Sequence, residues 1–216
     1  MKQYAVIGLG LFGYSVAIEL SRLGNEVLAI DKNEEIVDKI AENVSHAVVC
    51  DVTSEGALME LGLSNFDCCI VCIGNNFEAL VLAAMTCKEL GVKQVIAKAK
   101  DEMHGRVLTK AGVDQVFIPE KEMGTRLASL LCNNGIVDFI ELSRDYSIVE
   151  IKTPDKWIGL SILDLRIREK FGVNIVAIKN NNEQININPR PEEILEKNSS
   201  MVVIGTDIEL QKVSKL

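Results

Sequence analysis

Three glycines and one carboxylate near the start of the chain have the spacing of a nucleotide-binding turn. Gly8, Gly10 and Gly13 lie between a predicted strand and helix, and Asp31 ends the next predicted strand. In this pattern the first glycine allows a tight turn, the second lets a pyrophosphate approach the backbone, and the third lets the helix pack on the strand. A phosphate would meet free N–H groups at the positive end of that helix, and Asp31 could accept hydrogen bonds from both ribose hydroxyls. Asp31 would repel a 2′-phosphate, which argues against NADP.

Further small or polar residues follow the predicted strands at the edge where open α/β sheets bind ligands. These candidate residues are Lys32, Asp51, Thr53, Gly74 and Asn75. Two of them have simpler alternatives. Lys32 could reach a phosphate or be a solvated side chain, and Asp51 could instead close an Asx turn or cap the next helix.

The first half of the chain alternates apolar segments with segments of helical period. The predicted strands are 4–7, 26–30, 46–50, 67–73, 94–97 and 115–117, and the helices are 11–23, 34–43, 55–61, 77–90 and 103–111. Strict alternation of this kind predicts a doubly wound parallel sheet, the Rossmann arrangement, and glycines at 24, 62, 91 and 112 mark helix ends.

The second half has a different pattern. A helix over 121–133 ends in Asn-Asn-Gly and is followed by predicted strands at 147–152, 174–178, 184–187 and 201–204 and helices at 161–170 and 208–215. This pattern predicts a small α+β domain. We therefore expect a nucleotide-binding domain over 1–136, including the linking helix, and a second domain over 137–216.

Composition excludes several classes of protein. A hydrophobic content of 48% with 25% charged residues is typical of a globular chain, and the net charge of −8 argues against a nucleic-acid partner. No apolar segment reaches bilayer length and the first strand follows Met1 closely, so we expect a cytoplasmic protein without membrane insertion. Of six cysteines, Cys69 and Cys72 have CxxC spacing in a predicted buried strand with no second pair, which favours packing over zinc or disulfides.

Motifs over nearly the whole chain resemble the RCK domains that regulate bacterial Ktr- and Trk-type potassium uptake systems. In the first half the resemblance rests on GLGLFG at 8–13, Asp31, DVT at 51–53, IVCIG at 70–74 and IPEKEMG at 118–124. In the second half it rests on GLSILDL at 159–165, FGVNIVAI at 171–178 and NP at 188–189. The resemblance implies a cytosolic regulatory subunit that forms dimers and an octameric ring on a membrane potassium translocator. ATP or ADP in the Rossmann cleft would change the shape of that ring.

The same resemblance implies roles for individual residues of the first domain. The phosphate turn comprises Gly8, Gly10, Leu11, Phe12 and Gly13. Related subunits usually have arginine where this chain has Leu11, and leucine cannot supply that charge to a terminal phosphate, which leaves NAD(H) as an alternative ligand.

Two more residues acquire roles from the resemblance. Lys98, at the end of the fifth strand, corresponds to a lysine that faces phosphate, although a lysine in this place is often only solvated. Glu120 corresponds to a ligand of Mg²⁺ or Ca²⁺ at a dimer interface; the simpler alternative is an acid in the first turn that complements the helix dipole.

In the second domain the resemblance implies a site for cyclic di-AMP between two copies. The residues concerned are Ile167, Arg168, Asn174, Ile175 and Pro189. Arginine suits phosphate and asparagine suits a base edge, but Arg168 could equally be a surface charge and Ile175 part of the core.

Two other functions remain open, an NAD(H)-binding redox module and a small Rossmann oxidoreductase. His46 and His104 have no neighbouring nucleophile, so we expect no enzyme activity. The apolar stripe of the linking helix, which comprises Met123, Leu127, Leu130 and Leu131, could cover a neighbouring copy.

Overall fold

The computed structural model describes residues 1–54, 56–132, 136–143, 145–182, 184–214 and 216. These residues form two compact units, Met1–Lys121 and Glu122–Leu216. The predicted boundary at 136/137 places the whole linking helix in the first domain, whereas in the structure this helix begins in the first unit and continues in the second.

The first unit contains a six-stranded parallel sheet, as the alternating pattern predicts. Its strands are β1 (Gln3–Ile7), β2 (Glu26–Asp31), β3 (His46–Val49), β4 (Cys68–Val71), β5 (Val95–Lys98) and β6 (Gln115–Phe117). The strand order is β3-β2-β1-β4-β5-β6. Strands β2 and β3 are thus added on one side of β1 and strands β4 to β6 on its other side, and the order switches between β1 and β4. Doubly wound folds bind their ligands at this switch point, outside the carboxyl ends of the strands.

Helices cover both faces of this sheet. They are α1 (Leu11–Arg22), α2 (Glu34–Ala41), α3 (Phe77–Glu89) and α4 (Glu102–Lys110), and α5 (Pro119–Cys132) follows β6. Because both faces of parallel strands are buried, alternate residues of β1 enter different cores. Val6 packs in the cluster on the α1 and α2 side, while Ile7 packs in the cluster on the α3 and α4 side.

Two expectations for the first unit are wrong. Residues 56–61 form turns and a short 3-10 helix at Met59–Leu61 in place of the predicted α-helix, and Glu55 lies outside the described residues. Gly56 has a φ of 76°, which is incompatible with a right-handed helix. The apolar sequence at 46–50 predicts a buried strand that begins at His46, but this strand has exposed ends and lies at the edge of the sheet, because no further strand pairs with β3 among the described residues.

After the end of α5, the described residues of the second unit form an antiparallel sheet and short helices. Its strands are β7 (Ile136–Glu141), β8 (Tyr146–Lys152), β9 (Asn174–Lys179), β10 (Ile185–Asn186) and β11 (Ser200–Thr206), in the order β10-β9-β11-β8-β7. Its helices are α6 (Ile162–Leu165), α7 (Ile167–Phe171) and α8 (Asp207–Ser214). Trp157 is buried against Phe171, with ring centroids 5.6 Å apart, within the core of this unit. The α+β expectation is confirmed.

Two details of this unit differ from the sequence-based expectation. Strand β7 was not predicted, since its segment follows the turn signal Asn133-Asn134-Gly135, which lies outside the described residues. The predicted helix over 161–170 is divided at Arg166, whose φ of 47° is left-handed. Ser161 caps the first part by accepting the Asp164 N–H at 3.1 Å.

No helix in the described parts of the chain is long and apolar enough to cross a membrane.

Candidate functional site

The turn between β1 and α1 contains two glycines, Gly8 and Gly13, at which any side chain would force the neighbouring backbone to move. Gly8 has a φ of 92°, and a Cβ there would lie 3.0 Å from the backbone of Cys72 and Ile73 at the end of β4. A Cβ on Gly13 would lie 1.9 Å from the carbonyl oxygen of Gly8. The turn, the helix and the neighbouring strand are therefore in direct backbone contact, as the first and third glycines of the motif predict.

Gly10 differs from the other two glycines because the space beside it is open. A Cβ at this position would meet no heavy atom within 4 Å, and Gly10 is the N-cap of α1 without a side chain to cap the helix. The first turn of α1 carries no acidic residue, and the side chain of Leu11 is 95% exposed. The positive end of α1 thus faces open space in which an anion could approach the backbone N–H groups.

Asp31 connects this turn to the end of β2. Its Oδ2 accepts the N–H of Leu9 at 2.6 Å, and its Oδ1 accepts the N–H of Asn33 at 2.9 Å. Each oxygen of an ionised carboxylate has a second lone pair, so both could still accept a hydroxyl hydrogen. Asp31 is therefore oriented at the mouth of the turn and keeps acceptor capacity for a ribose.

The Asp51 carboxylate closes a local turn, which is the simpler of the two alternatives for this residue. Its Oδ1 accepts the N–H of Thr53 at 2.9 Å and the hydroxyl of Thr53 at 2.7 Å. These bonds, and to a smaller extent the charge of Lys32, hold the pKa of Asp51 below its usual range. Asp51, Thr53 and Lys32 are all exposed at the same edge of the sheet as Asp31.

Residues Gly74 and Asn75 are exposed after β4, and the next residue has the clearer structural role. The side chain of Asn76 caps α3 by accepting the N–H of Ala79 at 3.1 Å. A Cβ on Gly74 would meet nothing within 4 Å, so this edge is also open.

Lys98, at the end of β5, and Glu120, at the start of α5, form an ion pair on the other side of the glycine turn from Asp31. The ammonium of Lys98 lies 2.5 Å from Oε1 of Glu120 and 5.8 Å from the centroid of the Phe12 ring. The hydrogen bond from Lys98 is the main cause that lowers the pKa of Glu120. The sequence indicated both residues but not their pairing. The adjacency of β5 and β6, in which Lys98 is in register with Phe117, brings them together.

The described residues contain no group of three or more His, Cys, Asp or Glu side chains that could hold a metal ion. A cation at Glu120 would therefore need oxygen donors from a ligand or from a second copy of the chain.

The thiols of Cys68 and Cys72, at the two ends of β4, are buried and are protonated at neutral pH. Burial raises the pKa of Cys68 to about 11 and that of Cys72, beneath the glycine turn, to about 12. A thiol reacts through its thiolate, so these side chains behave as small apolar groups. Of the two histidines, His104 is stacked on Phe77 with ring centroids 4.0 Å apart, and His46 is exposed on β3.

The candidate residues of the second unit differ in exposure. Arg168 and Asn174 are exposed, and Ile175 and Pro189 are half-buried. Ile167 is 3% exposed and belongs to the core, so little of its side chain is available to a ligand.

Comparison with known proteins gives matches over both units. The TrkA-N domain model matches residues 4–119, and the TrkA-C domain model matches residues 146–216. The Ktr system potassium uptake protein C of Bacillus subtilis (strain 168) is 42% identical over 214 residues, which cover 99% of this chain and 96% of the relative. The Ktr system potassium uptake protein A of the same organism is 43% identical over 204 residues, 94% of this chain and 91% of the relative.

Solved structures of the GsuK channel share the fold. The GsuK channel bound to NAD matches 100% of this chain with a TM-score of 0.56 and 24% identity, and this chain spans only 38% of it. GsuK bound to ADP matches 60% of this chain with a TM-score of 0.52 and 25% identity, and this chain spans 34% of it.

Proposed function

Because the chain belongs to the TrkA-N and TrkA-C domain family that includes the Ktr system potassium uptake proteins, we propose that it is a nucleotide-sensing regulatory subunit of a membrane potassium translocator. The observation that carries the proposal is the glycine turn. It combines an open space at Gly10, the uncapped positive end of α1 and the oriented carboxylate of Asp31. Phosphates would bind at the helix end, and the ribose would bind at Asp31.

The ligand we propose is ADP or ATP, with NAD(H) as the alternative. ADP is supported by the GsuK structure that contains it, together with the tight packing of the turn, in which a Cβ added to Gly13 would lie 1.9 Å from the Gly8 carbonyl oxygen. Leu11 offers no positive charge to a terminal phosphate, so we expect weaker discrimination between ATP and ADP than an arginine would give.

Regulation requires that nucleotides distinguish two states of the assembly. A ligand that binds both states equally shifts nothing, however tightly it binds. We propose that the chain self-associates into a dimer and an octameric ring at the cytoplasmic face of the membrane, and that the translocator responds to the shape of this ring. Self-association is supported by apolar side chains on α5, since Met123, Leu127 and Leu131 are 57%, 57% and 73% exposed.

Two further ligands belong to the proposal. Glu120 would contribute to a Mg²⁺ or Ca²⁺ site completed by nucleotide phosphates or a neighbouring copy, since such ions prefer oxygen donors. Cyclic di-AMP would bind between two second units through Arg168 and Asn174, whose side chains are exposed.

The alternative of a thiol-based redox sensor is weakened by the cysteines. Cys68, Cys69, Cys72 and Cys87 are all buried, and burial contributes to protonation of the Cys68 and Cys72 thiols. NAD(H) binding without a thiol reaction would still be compatible with the turn.

Calorimetry of the full chain with ADP, ATP, NADH and cyclic di-AMP, each with and without Mg²⁺, tests the proposal. Asp31→Asn should weaken the binding of ADP by tenfold or more, because the ribose loses a charged acceptor. Asp67→Asn is the matched control, since Asp67 also accepts a backbone N–H, from Gln3 at 3.0 Å, but at the amino end of the sheet. Equal effects of the two substitutions, or binding of NADH alone, would contradict the adenine-nucleotide proposal.

The regulatory part needs a transport readout. Rubidium flux into vesicles that hold a Ktr-type translocator should depend on the added chain and differ between ADP and ATP. If rubidium flux did not depend on the added chain although the chain bound ADP, the proposed regulation of a potassium translocator would be refuted and only nucleotide binding would remain.

A further inference from the structure

The ion pair between Lys98 and Glu120 occupies the side of the glycine turn where phosphate charge would accumulate. The Lys98 side chain is 18% exposed, and its ammonium has the carboxylate at 2.5 Å and the Phe12 ring at 5.8 Å as neighbours. Phe12 is the second residue of α1, so this ammonium lies beside the helix end that attracts anions. The charge of Lys98 also acts on the Cys72 thiol at the end of β4. One ammonium therefore faces the turn, the switch point of the sheet and the start of α5.

We propose that the Glu120 carboxylate stands in for a phosphate oxygen on Lys98, so that a nucleotide phosphate and Glu120 compete for the same ammonium. This inference rests on the proposed nucleotide site. A carboxylate and a phosphate accept the same charge-assisted hydrogen bonds from lysine, and a phosphate carries more charge. The Lys98 side chain is only 18% exposed, which leaves little room for a second anion unless Glu120 moves.

The competition connects the phosphates to α5. Glu120 is the second residue of this helix, which also bears the exposed Met123, Leu127 and Leu131. The next residue, Lys121, is ion-paired with Glu102 of α4, and its N–H donates to the Ile118 carbonyl oxygen at 3.1 Å. Loss of the contact with Lys98 would leave these bonds in place and would remove the side-chain bond between the start of α5 and β5. A nucleoside without phosphate could not cause this change.

The pair is weak enough for a ligand to break. Glu120 is 65% exposed, and ion pairs with an exposed partner are screened by water. We expect the competition to reduce the affinity for a phosphate-bearing ligand by about two- to fivefold.

A double-mutant cycle on the full chain tests the competition without divalent cations. ADP and adenosine are titrated in EDTA against the wild type, Glu120→Gln, Lys98→Met and the double variant, up to millimolar ligand. Glu120→Gln should bind ADP about two- to fivefold more tightly and adenosine unchanged, because only the phosphate competes for Lys98. In the Lys98→Met background, Glu120→Gln should have no effect. Thermal denaturation of each variant checks that the fold is intact.

The cycle separates the competition from simple repulsion between Glu120 and the ligand. If Glu120→Gln tightened ADP binding equally with and without Lys98, repulsion alone would explain the data and the proposal would be overturned. An unchanged ADP affinity in Glu120→Gln would overturn it as well, while the nucleotide site would stand. Failure of the wild type to bind ADP, ATP or NADH would instead refute the proposed function and this inference with it.

Hydrogen exchange gives a second readout at the helix itself. ADP should accelerate exchange in the peptide that spans 118–124 of the wild type, and adenosine should not. In Glu120→Gln this peptide should exchange faster without ligand, and ADP should add no further change. Slower exchange on ADP binding in the wild type, without Mg²⁺, would contradict release of Glu120.

Discussion

Replacing Gly13 by alanine should destabilise the protein, although it adds only one methyl group. The new Cβ would lie 1.9 Å from the Gly8 carbonyl oxygen and 3.0 Å from Cβ of Cys72, whereas ordinary contacts begin at 3.4 Å. The turn or the helix would have to move by about 1.5 Å to remove the first overlap. Neither contact is the end of a flexible side chain, so the movement must involve the backbone.

Overpacking of a filled core typically costs about 1–3 kcal/mol, and we expect the upper end here because the backbone must move. The free energy of unfolding of Gly13→Ala should therefore fall by about 3 kcal/mol. Urea unfolding followed by far-UV circular dichroism measures this loss. The single tryptophan, Trp157, belongs to the second unit, so its fluorescence reports on that unit separately.

Gly10→Ala is the matched control, since a Cβ there meets nothing within 4 Å. Its free energy of unfolding should change by less than about 1 kcal/mol, because a weaker N-cap is offset by a less flexible unfolded chain. Its affinity for ADP should nevertheless fall by tenfold or more, since the methyl group would occupy the space proposed for the pyrophosphate. Wild-type stability of Gly13→Ala would refute the steric argument, and wild-type ADP binding by Gly10→Ala would refute the placement of the phosphates.

Three further predictions concern charge and ionisation. Leu11→Arg should raise the preference for ATP over ADP by about fivefold relative to Leu11→Met, because the guanidinium can reach a terminal phosphate from an exposed position. Equal affinities of Leu11→Arg for ATP and ADP in calorimetry would contradict this. Iodoacetamide at pH 7.5 should leave Cys68 and Cys72 unlabelled in the folded protein and label both in urea, because burial raises the pKa of Cys68 to about 11 and that of Cys72 to about 12. Rapid labelling of Cys72 in the folded protein, detected by mass spectrometry, would contradict this prediction, since it would show that the thiolate is accessible. The hydrogen bond from the Val95 N–H holds the pKa of Asp114 below its usual range, so its contribution is present at neutral pH and is lost as the pH falls through that lowered pKa. Between pH 6 and pH 2 the free energy of unfolding of Asp114→Asn should therefore fall by about 1 kcal/mol less than that of the wild type. If the free energies of unfolding of the two proteins fell in parallel with pH, the ionised Asp114 carboxylate would not stabilise the fold.

Much of the first unit could be predicted because its signals are local. Apolar segments buried on both faces mark parallel strands, and the glycines that end helices have positive φ, as at Gly24 and Gly91. The turn at Gly8 and Gly13 is specified by the same local logic, since each glycine is needed where two backbones meet. The roles of the candidate site residues in ligand binding remain predictions.

The two wrong or missing elements of the second unit depend on tertiary surroundings that the local pattern does not reveal. Periodicity over 161–170 favours a single helix, but Arg166 adopts a left-handed conformation that any residue can be forced into by its surroundings. Among the described residues β7 pairs with β8 alone, so its formation depends on a partner strand and not on its own pattern.

The sequence by itself determined the doubly wound sheet, the glycine turn and the carboxylate at the end of β2, because each depends on residues close together in the chain. Only the tertiary structure decided which charges meet. Lys98 and Glu120 are 22 positions apart and are paired because β5 and β6 are neighbours, and the Asp31 carboxylate reaches the Leu9 N–H because β1 and β2 are neighbours. Strand order is set by packing of the whole sheet, which no local pattern encodes.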